Sequence, residues 1–250
     1  MIDLHSHVLP DVDDGTRSLE EARALARSAV EDGVTRMVAT PHVRGDWPTT
    51  PERMERGVAE LRADFALEGI PLEILHGAEL SIERLGELNP DDLLRFSLGQ
   101  NGRYVLLECP YFSSYVELVP AIKALSKVGL AAVVAHPERN PTIQERPARI
   151  SALLALGALV QVTAGSIDGR LGRSAERTAS ALVELGYVHA IASDAHGPHI
   201  REGGLAAAAA AVGDSALGTY LTEEAPAAIL AGESVATRVR ARRRWPFGFS

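Results

Sequence analysis

The chain has 250 residues, a formal net charge of −8, 46% hydrophobic and 23% charged residues, and one cysteine. This composition is typical of a globular protein, its acidic balance argues against a nucleic-acid-binding surface, and a single cysteine excludes an intrachain disulfide framework. Residues 1–20 lack the basic and apolar regions of a signal peptide, and no apolar stretch reaches the roughly 20 residues of a membrane span. We therefore expect a cytoplasmic protein without a transmembrane segment.

Apolar runs rich in β-branched residues alternate with helical patterns along the whole chain. A capping box of Ser18 and Glu21 predicts the first helix, which Gly33 ends, and a second begins at Thr50 with Pro51 at the first helical position. The predicted strands lie near 2–5, 34–40, 72–79, 104–109, 131–136, 158–163 and 188–193, and further helices lie near 116–128, 147–156, 172–185 and 204–231, the last broken near Gly213. Seven strands that alternate with helices indicate a parallel sheet in a single domain, residues 1–250, with a basic tail from about residue 232.

Six of the seven predicted strands end in histidine or a carboxylate. The first ends in His5-Ser6-His7, whose alternate residues share one face of a strand. The carboxyl ends of parallel strands converge at one mouth of a closed barrel, whereas an open sheet spreads them along a line. The pattern therefore favours a barrel with a metal cluster at that mouth. The candidate ligands are His5, His7, one of Asp13 and Asp14, His42, Glu79, Glu108, His136, Asp194 and His196.

This ligand set predicts more than one metal ion. Nine nitrogen and oxygen ligands without a thiolate exceed the needs of a single ion and suit two or three divalent ions such as Mn, Fe or Zn. Such clusters activate water and hold the oxygens of a phosphoryl group during its transfer. Taken singly, Glu79 and Glu108 could instead form salt bridges with arginine, and His42 and His136 could have structural roles beside a proline.

Five motifs carry a resemblance to a known family: His5-Ser6-His7, the stretch from Leu9 to Gly15, Ala39-Thr40-Pro41-His42, His136-Pro137-Glu138-Arg139-Asn140, and Ala192-Ser193-Asp194-Ala195-His196. In this order, over residues 1 to about 205, they resemble the PHP (polymerase and histidinol phosphatase) superfamily. More narrowly, they resemble its bacterial protein-tyrosine phosphatases of capsule and exopolysaccharide synthesis. The resemblance implies an α/β fold of the distorted seven-stranded (β/α)7 barrel type with a trinuclear, usually manganese-dependent, site.

The resemblance also implies roles for individual residues, and it selects Asp14 rather than Asp13. It assigns His5, His7, Glu79 and Asp194 to a first ion, Glu79, Glu108 and His136 to a second, and Asp14, His42 and His196 to a third. Arg139 and Arg201 match the arginines that bind the substrate phosphate, a role that suits the forked guanidinium group.

The activity implied by the resemblance is hydrolysis of phosphotyrosine in proteins by a metal-dependent phosphomonoesterase. The expected substrate is the autophosphorylated tail of a bacterial tyrosine kinase that regulates exopolysaccharide synthesis. The alternative that stays open is a PHP-type phosphatase of a small phosphoester such as histidinol phosphate. A deaminase-type amidohydrolase is disfavoured because it would need fewer metals and a lysine ligand that is missing here, and the complete ligand set with Arg139 argues against a metal-binding scaffold without turnover. Cys109 lacks the arginine that follows the nucleophile of cysteine-based phosphatases, and His76 and His189 are expected in the core. The sequence is compatible with a homo-oligomer.

Overall fold

Nine short strands form two parallel sheets in the computed structural model, which describes residues 1–197 and 204–239. The strands are β1 (Ile2–Ser6), β2 (Arg36–Ala39), β3 (His42–Val43), β4 (Glu73–His76), β5 (Glu79–Leu80), β6 (Tyr104–Glu108), β7 (Ala131–Ala135), β8 (Leu159–Thr163) and β9 (Ala190–Ala192). The first sheet has the order β1-β2-β4, and the second has the order β3-β5-β6-β7-β8-β9. All of their pairings are parallel.

The chain just after β9 closes the arrangement by pairing with the end of β1. Ser6 and Ala195 form a parallel bridge, the backbone N–H of His7 donates to Ala195 at 2.8 Å, and that of Asp194 donates to His5 at 2.8 Å. The two sheets are thereby joined at the ends of their strands. The architecture is an α/β fold with parallel sheets in a barrel-like arrangement.

The strand count exceeds the seven predicted runs because one run is followed by a short additional strand, β3, and another is divided into β4 and β5. The run near 34–40 is followed by Pro41, which has no N–H to donate, and pairing resumes only at β3. The run near 72–79 is interrupted at Gly77, where an added Cβ would lie 2.6 Å from Val38 Cγ1. β2 therefore leads into β3, and β4 leads into β5, with a change of sheet at each break.

Helices follow the strands as the sequence predicts. The α-helices are α1 (Leu19–Glu31), α2 (Pro51–Leu67), α3 (Ile82–Leu85), α4 (Pro90–Arg95), α5 (Leu118–Lys127), α6 (Pro141–Glu145), α7 (Ser151–Leu154), α8 (Ala164–Ile167), α9 (Arg173–Glu184), α10 (Leu205–Ala211), α11 (Ser215–Thr219) and α12 (Ala225–Leu230), with a π-helical segment at Tyr220–Glu224. Both predicted caps form, since Ser18 accepts from the N–H of Glu21 and Thr50 from that of Arg53. Within the described part of the chain, no helix has the length and apolar character needed to cross a bilayer.

Two groups of buried apolar side chains stabilise this arrangement. The larger group packs the helices against the outside of the sheets, and the smaller one takes alternate residues of several strands. In β6, Tyr104 and Leu106 belong to the smaller group, whereas Val105 and Leu107 belong to the larger. Since side chains alternate along a strand, Glu108 continues the face of Tyr104 and Leu106 and reaches the carboxyl mouth of the sheet.

Candidate metal centre

All nine candidate ligands lie together at the carboxyl ends of the strands. Four overlapping groups each bring their ligand atoms within 4.8 Å of one another: His5–His7–Asp194, His5–Glu79–His136, His42–Glu79–Glu108 and His7–Asp14–His42–His196. Eight of the nine residues are buried, and only the side chain of Asp14, at 44%, is substantially exposed. Arg201, the second predicted phosphate ligand, lies outside the described residues.

The tightest part of the cluster is a triangle of ligand atoms from His5, His7 and Asp194. The two Nε2 atoms are 3.2 Å apart, and they lie 3.3 and 3.4 Å from Asp194 Oδ1. Three atoms at this spacing enclose a point about 1.9 Å from each, close to the roughly 2.0–2.2 Å of nitrogen and oxygen bonds to Zn²⁺. The triangle therefore fits a divalent ion.

The imidazole orientations support the same interpretation. His5 Nδ1 donates to Gln161 Oε1 at 3.0 Å, His7 Nδ1 donates to Asp13 Oδ2 at 2.6 Å, and His196 Nδ1 donates to the carbonyl of Asp194 at 2.9 Å. A donor bond at Nδ1 fixes the tautomer that directs the Nε2 lone pair into the cluster. Three separate histidines are thus held in the form that a metal ligand requires.

Glu79 lies at the centre of the cluster. Its Oε1 accepts from His136 Nε2 at 2.8 Å, and its Oε2 lies 3.0 Å from His42 Nδ1 and 3.3 Å from His5 Nε2. Burial opposes ionisation of this carboxyl, but the imidazoles of His5, His42 and His136 outweigh burial and hold its pKa well below the ordinary range. Although Glu79 Oε2 and His42 Nδ1 lie close together, they do not form a hydrogen bond with each other. Both atoms are buried without a hydrogen-bond partner among the described residues. Buried polar atoms in this state are uncommon, and a bound cation would satisfy both.

The two aspartates after β1 have different positions. Asp13 is buried, accepts from His7 Nδ1 and also accepts from the backbone N–H of His42 at 2.9 Å. Asp14 Oδ1 instead lies 3.5 Å from the Nε2 atoms of both His42 and His196. The geometry therefore agrees with Asp14 as the candidate ligand and with Asp13 as the residue that orients His7.

Glu108 joins the cluster through His42 and Glu79. The resemblance assigns it to one ion with Glu79 and His136, but its oxygens group with His42 and Glu79 instead. Burial, followed by the negative charge of Glu79, raises the pKa of Glu108 to about 7. Arg44 Nη1 lies 3.4 Å from Glu108 Oε1. Because Arg44 is not a candidate ligand, Glu108 lies at the edge of the cluster.

Arg139 lies against the cluster of candidate ligands and is largely buried. It contacts Asp194 Oδ2 at 2.6 Å through Nη1, donates to the hydroxyl of Tyr111 at 2.8 Å, and donates to Thr163 Oγ1 at 2.6 Å through Nη2. One guanidinium group thus connects a candidate metal ligand with two neighbouring hydroxyls. The burial of Asp194 opposes its ionisation, but His5, His7 and Arg139 hold its pKa well below the ordinary range.

The backbone around the cluster is strained in places that position ligands. His136 and Asp194 have φ angles of 37° and 53°, in the left-handed region that residues other than glycine seldom adopt. Gly15 allows the Asp13–Asp14 loop to approach β1, because an added Cβ would lie 2.1 Å from the carbonyl oxygen of His7. The strained backbone at His136 and Asp194 and the close approach at Gly15 bring the candidate ligands together.

Sequence reasoning missed two residues of the site. Gln161 stands on the predicted strand that offered no ligand, yet it holds His5; the polar residue in an otherwise apolar run was the available signal. Tyr111 follows β6, and its ring lies 5.3 Å from that of His136, at an interplanar angle of 23°. No spacing rule connects Tyr111 with a histidine 25 positions later in the chain.

Of the two histidines expected in the core, only His189 lies there. His76 is half-buried, so its prediction is wrong, because it stands on β4, the edge strand of the first sheet. His189 is buried, its Nδ1 accepts from the N–H of Val160 at 3.1 Å, and burial lowers its pKa to about 4. Cys109 is also buried, and burial followed by the charges of Glu138 and Glu108 raises the pKa of its thiol. A thiol in that state is a poor nucleophile.

The fold and the site together define an α/β protein of barrel type whose mouth can bind metal ions. The profile of the family described as "Capsular polysaccharide synthesis, CpsB/CapC" matches residues 1–226, and the chain belongs to this family. The expectation of a capsule-associated relative is therefore confirmed.

Individual relatives agree with this assignment. The chain is 36% identical over 200 residues to the tyrosine-protein phosphatase YwqE of Bacillus subtilis, covering 78% of this chain and 77% of YwqE. It is 28% identical over 204 residues to the tyrosine-protein phosphatase CpsB of Streptococcus pneumoniae, covering 78% and 83%.

Solved structures give the same picture at the level of the fold. A chain from the crystal structures of YwqE and CpsB, described as unique metal-dependent tyrosine phosphatases, superposes with a TM-score of 0.82 at 30% identity. The match covers 97% of this chain and 100% of that one. A β-aspartyl dipeptidase from Fervidobacterium islandicum shares the fold alone, with a TM-score of 0.55 at 14% identity.

Proposed function

We propose that the protein is a metal-dependent phosphatase that hydrolyses phosphotyrosine in proteins. The observation that carries the proposal is the triangle of His5 Nε2, His7 Nε2 and Asp194 Oδ1, with its spacing suited to a cation. The names of the relatives YwqE and CpsB supply the substrate class. Family membership and site geometry thus support one activity from independent directions.

The proposed cofactors are two or three divalent ions, with manganese favoured and iron or zinc as alternatives. The donors are imidazoles and carboxylates without a thiolate, a set that suits these ions. We assign all nine residues to the centre: His5, His7, Asp14, His42, Glu79, Glu108, His136, Asp194 and His196. Glu79 would contribute both of its oxygens to the ions, because one faces His136 and the other faces His5.

Divalent ions bound at such a site would polarise the phosphoryl oxygens and lower the pKa of water, so that its hydroxide form is available as the nucleophile at neutral pH. The residues of the chain hold and orient the reacting groups. Arg139 keeps Asp194 in place and presents its guanidinium at the cluster, where it would bind a phosphoryl oxygen together with Arg201. The leaving phenol has a pKa near 10, so it needs less protonation than an alkoxide would.

The proposed substrate is the autophosphorylated tail of a bacterial tyrosine kinase that regulates exopolysaccharide synthesis, encountered in the cytoplasm. The side chains beside the cluster favour a protein over a metabolite, since Glu83, Phe112 and Glu117 are exposed at its approach. We also propose that residues 1–250 form one domain. In a seven-stranded (β/α)7 barrel, β2 and β3 together would count as one strand, and so would β4 and β5. We also propose that the protein can form a homo-oligomer.

The test compares two phosphoesters under the same conditions. Metal-depleted protein is supplied with Mn²⁺, and phosphate release is measured from a phosphotyrosine peptide and from histidinol phosphate. We expect a higher kcat/KM for the peptide, loss of activity with a chelator and recovery on renewed addition of Mn²⁺. A preference for histidinol phosphate would overturn the substrate class, and hydrolysis that survives complete metal removal would overturn the metal dependence.

A further inference from the structure

A surface groove lies beside the candidate metal centre. The pocket at the cluster has a volume of about 40 Å³, and the neighbouring groove has about 290 Å³. Arg44, Glu108 and Tyr111 line both spaces, so the two adjoin each other. A ligand anchored at the cluster would reach the groove past these three side chains.

The volumes of the pocket and of the groove limit which part of a phosphotyrosine each can hold. One water molecule takes about 30 Å³ of liquid, and a cavity of roughly 150 Å³ accommodates benzene. The pocket at the cluster is thus too small for a phenyl ring, whereas the groove has room for a ring and part of a neighbouring residue. With its phosphate at the candidate metal site, a tyrosyl ring would find room in the groove.

Two consecutive aromatic residues form the groove wall nearest to the metals. The Tyr111 ring stacks on His136, and its hydroxyl accepts from Arg139, so this side chain is fixed from both sides. The Phe112 ring lies 6.4 Å from that of Tyr111, and its side chain is fully exposed, at 101%. The exposed Phe112 ring beside the groove is available to pack against the ring of a ligand.

Asn140 holds the segment that carries these aromatic residues. Its Nδ2 donates to the carbonyl oxygens of Pro110, at 2.7 Å, and Ser113, at 3.0 Å. Its Oδ1 accepts from the backbone N–H groups of Thr142 and Ile143 and caps α6. The Tyr111–Phe112 segment is therefore hydrogen-bonded to the loop that supplies Arg139. Asn140 thus supports both the aromatic residues of the groove and the arginine proposed to bind the phosphate.

We propose that Tyr111 and Phe112 recognise the aromatic ring of phosphotyrosine and make the site selective for aryl over alkyl phosphomonoesters. Tyr111 forms the fixed inner wall, and Phe112 packs against the outer face or edge of the bound ring. This inference rests on the proposed phosphatase function and specifies how that function selects its substrate.

The variant Phe112→Ala tests the ring contact without disturbing the core. We expect KM for a phosphotyrosine peptide to rise about tenfold, the size of effect typical of one aromatic contact, with kcat changed less than about twofold. The inhibition constant of inorganic phosphate, which occupies only the metal pocket, should stay the same. Leu67→Ala is the matched control, because Leu67 is 88% exposed and lies at the end of α2. Phe112→Tyr should restore the low KM.

Asn140→Asp provides a second, independent perturbation. The aspartate keeps the oxygen that caps α6 but loses both donors to the Tyr111–Phe112 segment, so KM for the peptide should again rise while phosphate inhibition persists. If the wild-type protein cleaves the peptide and Phe112→Ala leaves KM unchanged, ring recognition is refuted and the phosphatase proposal stands. If the wild-type protein with Mn²⁺ releases no phosphate from the peptide, both proposals are refuted.

Discussion

Replacing Glu108 by glutamine should make the metal-free protein more stable at alkaline pH. Burial and the charge of Glu79 raise the pKa of Glu108 from its ordinary 4.5 to about 7, so ionisation is unfavourable in the folded state. Between these two pH values the native protein binds more protons at this site than the unfolded chain. Stability therefore falls as pH rises through this window, and glutamine, which stays neutral, removes that fall.

The size of the effect follows from the difference between the pKa of Glu108 in the unfolded chain, 4.5, and in the folded protein, about 7. At roughly 1.4 kcal/mol per pKa unit, ionisation in the folded state costs about 3 kcal/mol once the pH exceeds both values. For a chain of this length, that corresponds to a rise in Tm of roughly 6–12 °C for Glu108→Gln at pH 8.5. At pH 4 the carboxyl is mostly protonated in both states, and the two proteins should melt at nearly the same temperature.

Thermal unfolding in the presence of a chelator, at pH 4 and pH 8.5, measures this difference. Glu60→Gln is the matched control, because Glu60 is exposed on α2 and should show no comparable change between the two pH values. Addition of Mn²⁺ should reverse the order, since the wild-type protein has a ligand that the variant lacks. Equal Tm values at pH 8.5 without metal would refute the claim that Glu108 is held in an unfavourable charged state.

Three further substitutions separate the roles of the residues at the centre. Asp13→Asn should weaken metal affinity about 10- to 100-fold, measured by Mn²⁺ titration of activity, because it alters the contact that orients His7; unchanged affinity would contradict that role. Arg139→Lys should lower kcat/KM at least about 100-fold despite keeping the charge, since lysine cannot reproduce the forked contacts to Asp194 and its neighbours, and a loss below threefold would contradict it. Cys109→Ala should keep kcat within about twofold, and inactivation by that change would bring the thiol into the chemistry.

The meeting of the nine ligands was predictable from sequence because strand geometry and barrel closure require it. His5 and His7 are two residues apart, and Glu108 continues the inward face of its strand, so periodicity alone places them. The helix starts at Ser18 and Thr50 were predictable for the same reason, since capping is local. Roles for individual metal ligands remain proposals, because spacing gives proximity and does not assign ions.

Other features depend on tertiary contacts that no local pattern records. Asp13 contacts the ring of His7 and Asp14 faces His42, a difference that the sequence could not show because adjacent residues have nearly the same spacing to every motif. Gln161 acts on His5 across 156 positions of the chain. The separate strand β3 after Pro41 and the division of the run near 72–79 at Gly77 depend on how the chain packs against neighbouring strands.

The structure explains why metal binding and stability should be coupled in this fold. Buried carboxylates are costly unless they are paired, and here the imidazoles and Arg139 keep Glu79 and Asp194 ionised, while Glu108 is left without sufficient compensation. A divalent ion would compensate that charge and displace the proton of Glu108, so metal affinity should increase as the pH rises through about 7. The same carboxylate that destabilises the metal-free protein therefore contributes to holding the metal, and its two effects have one electrostatic origin.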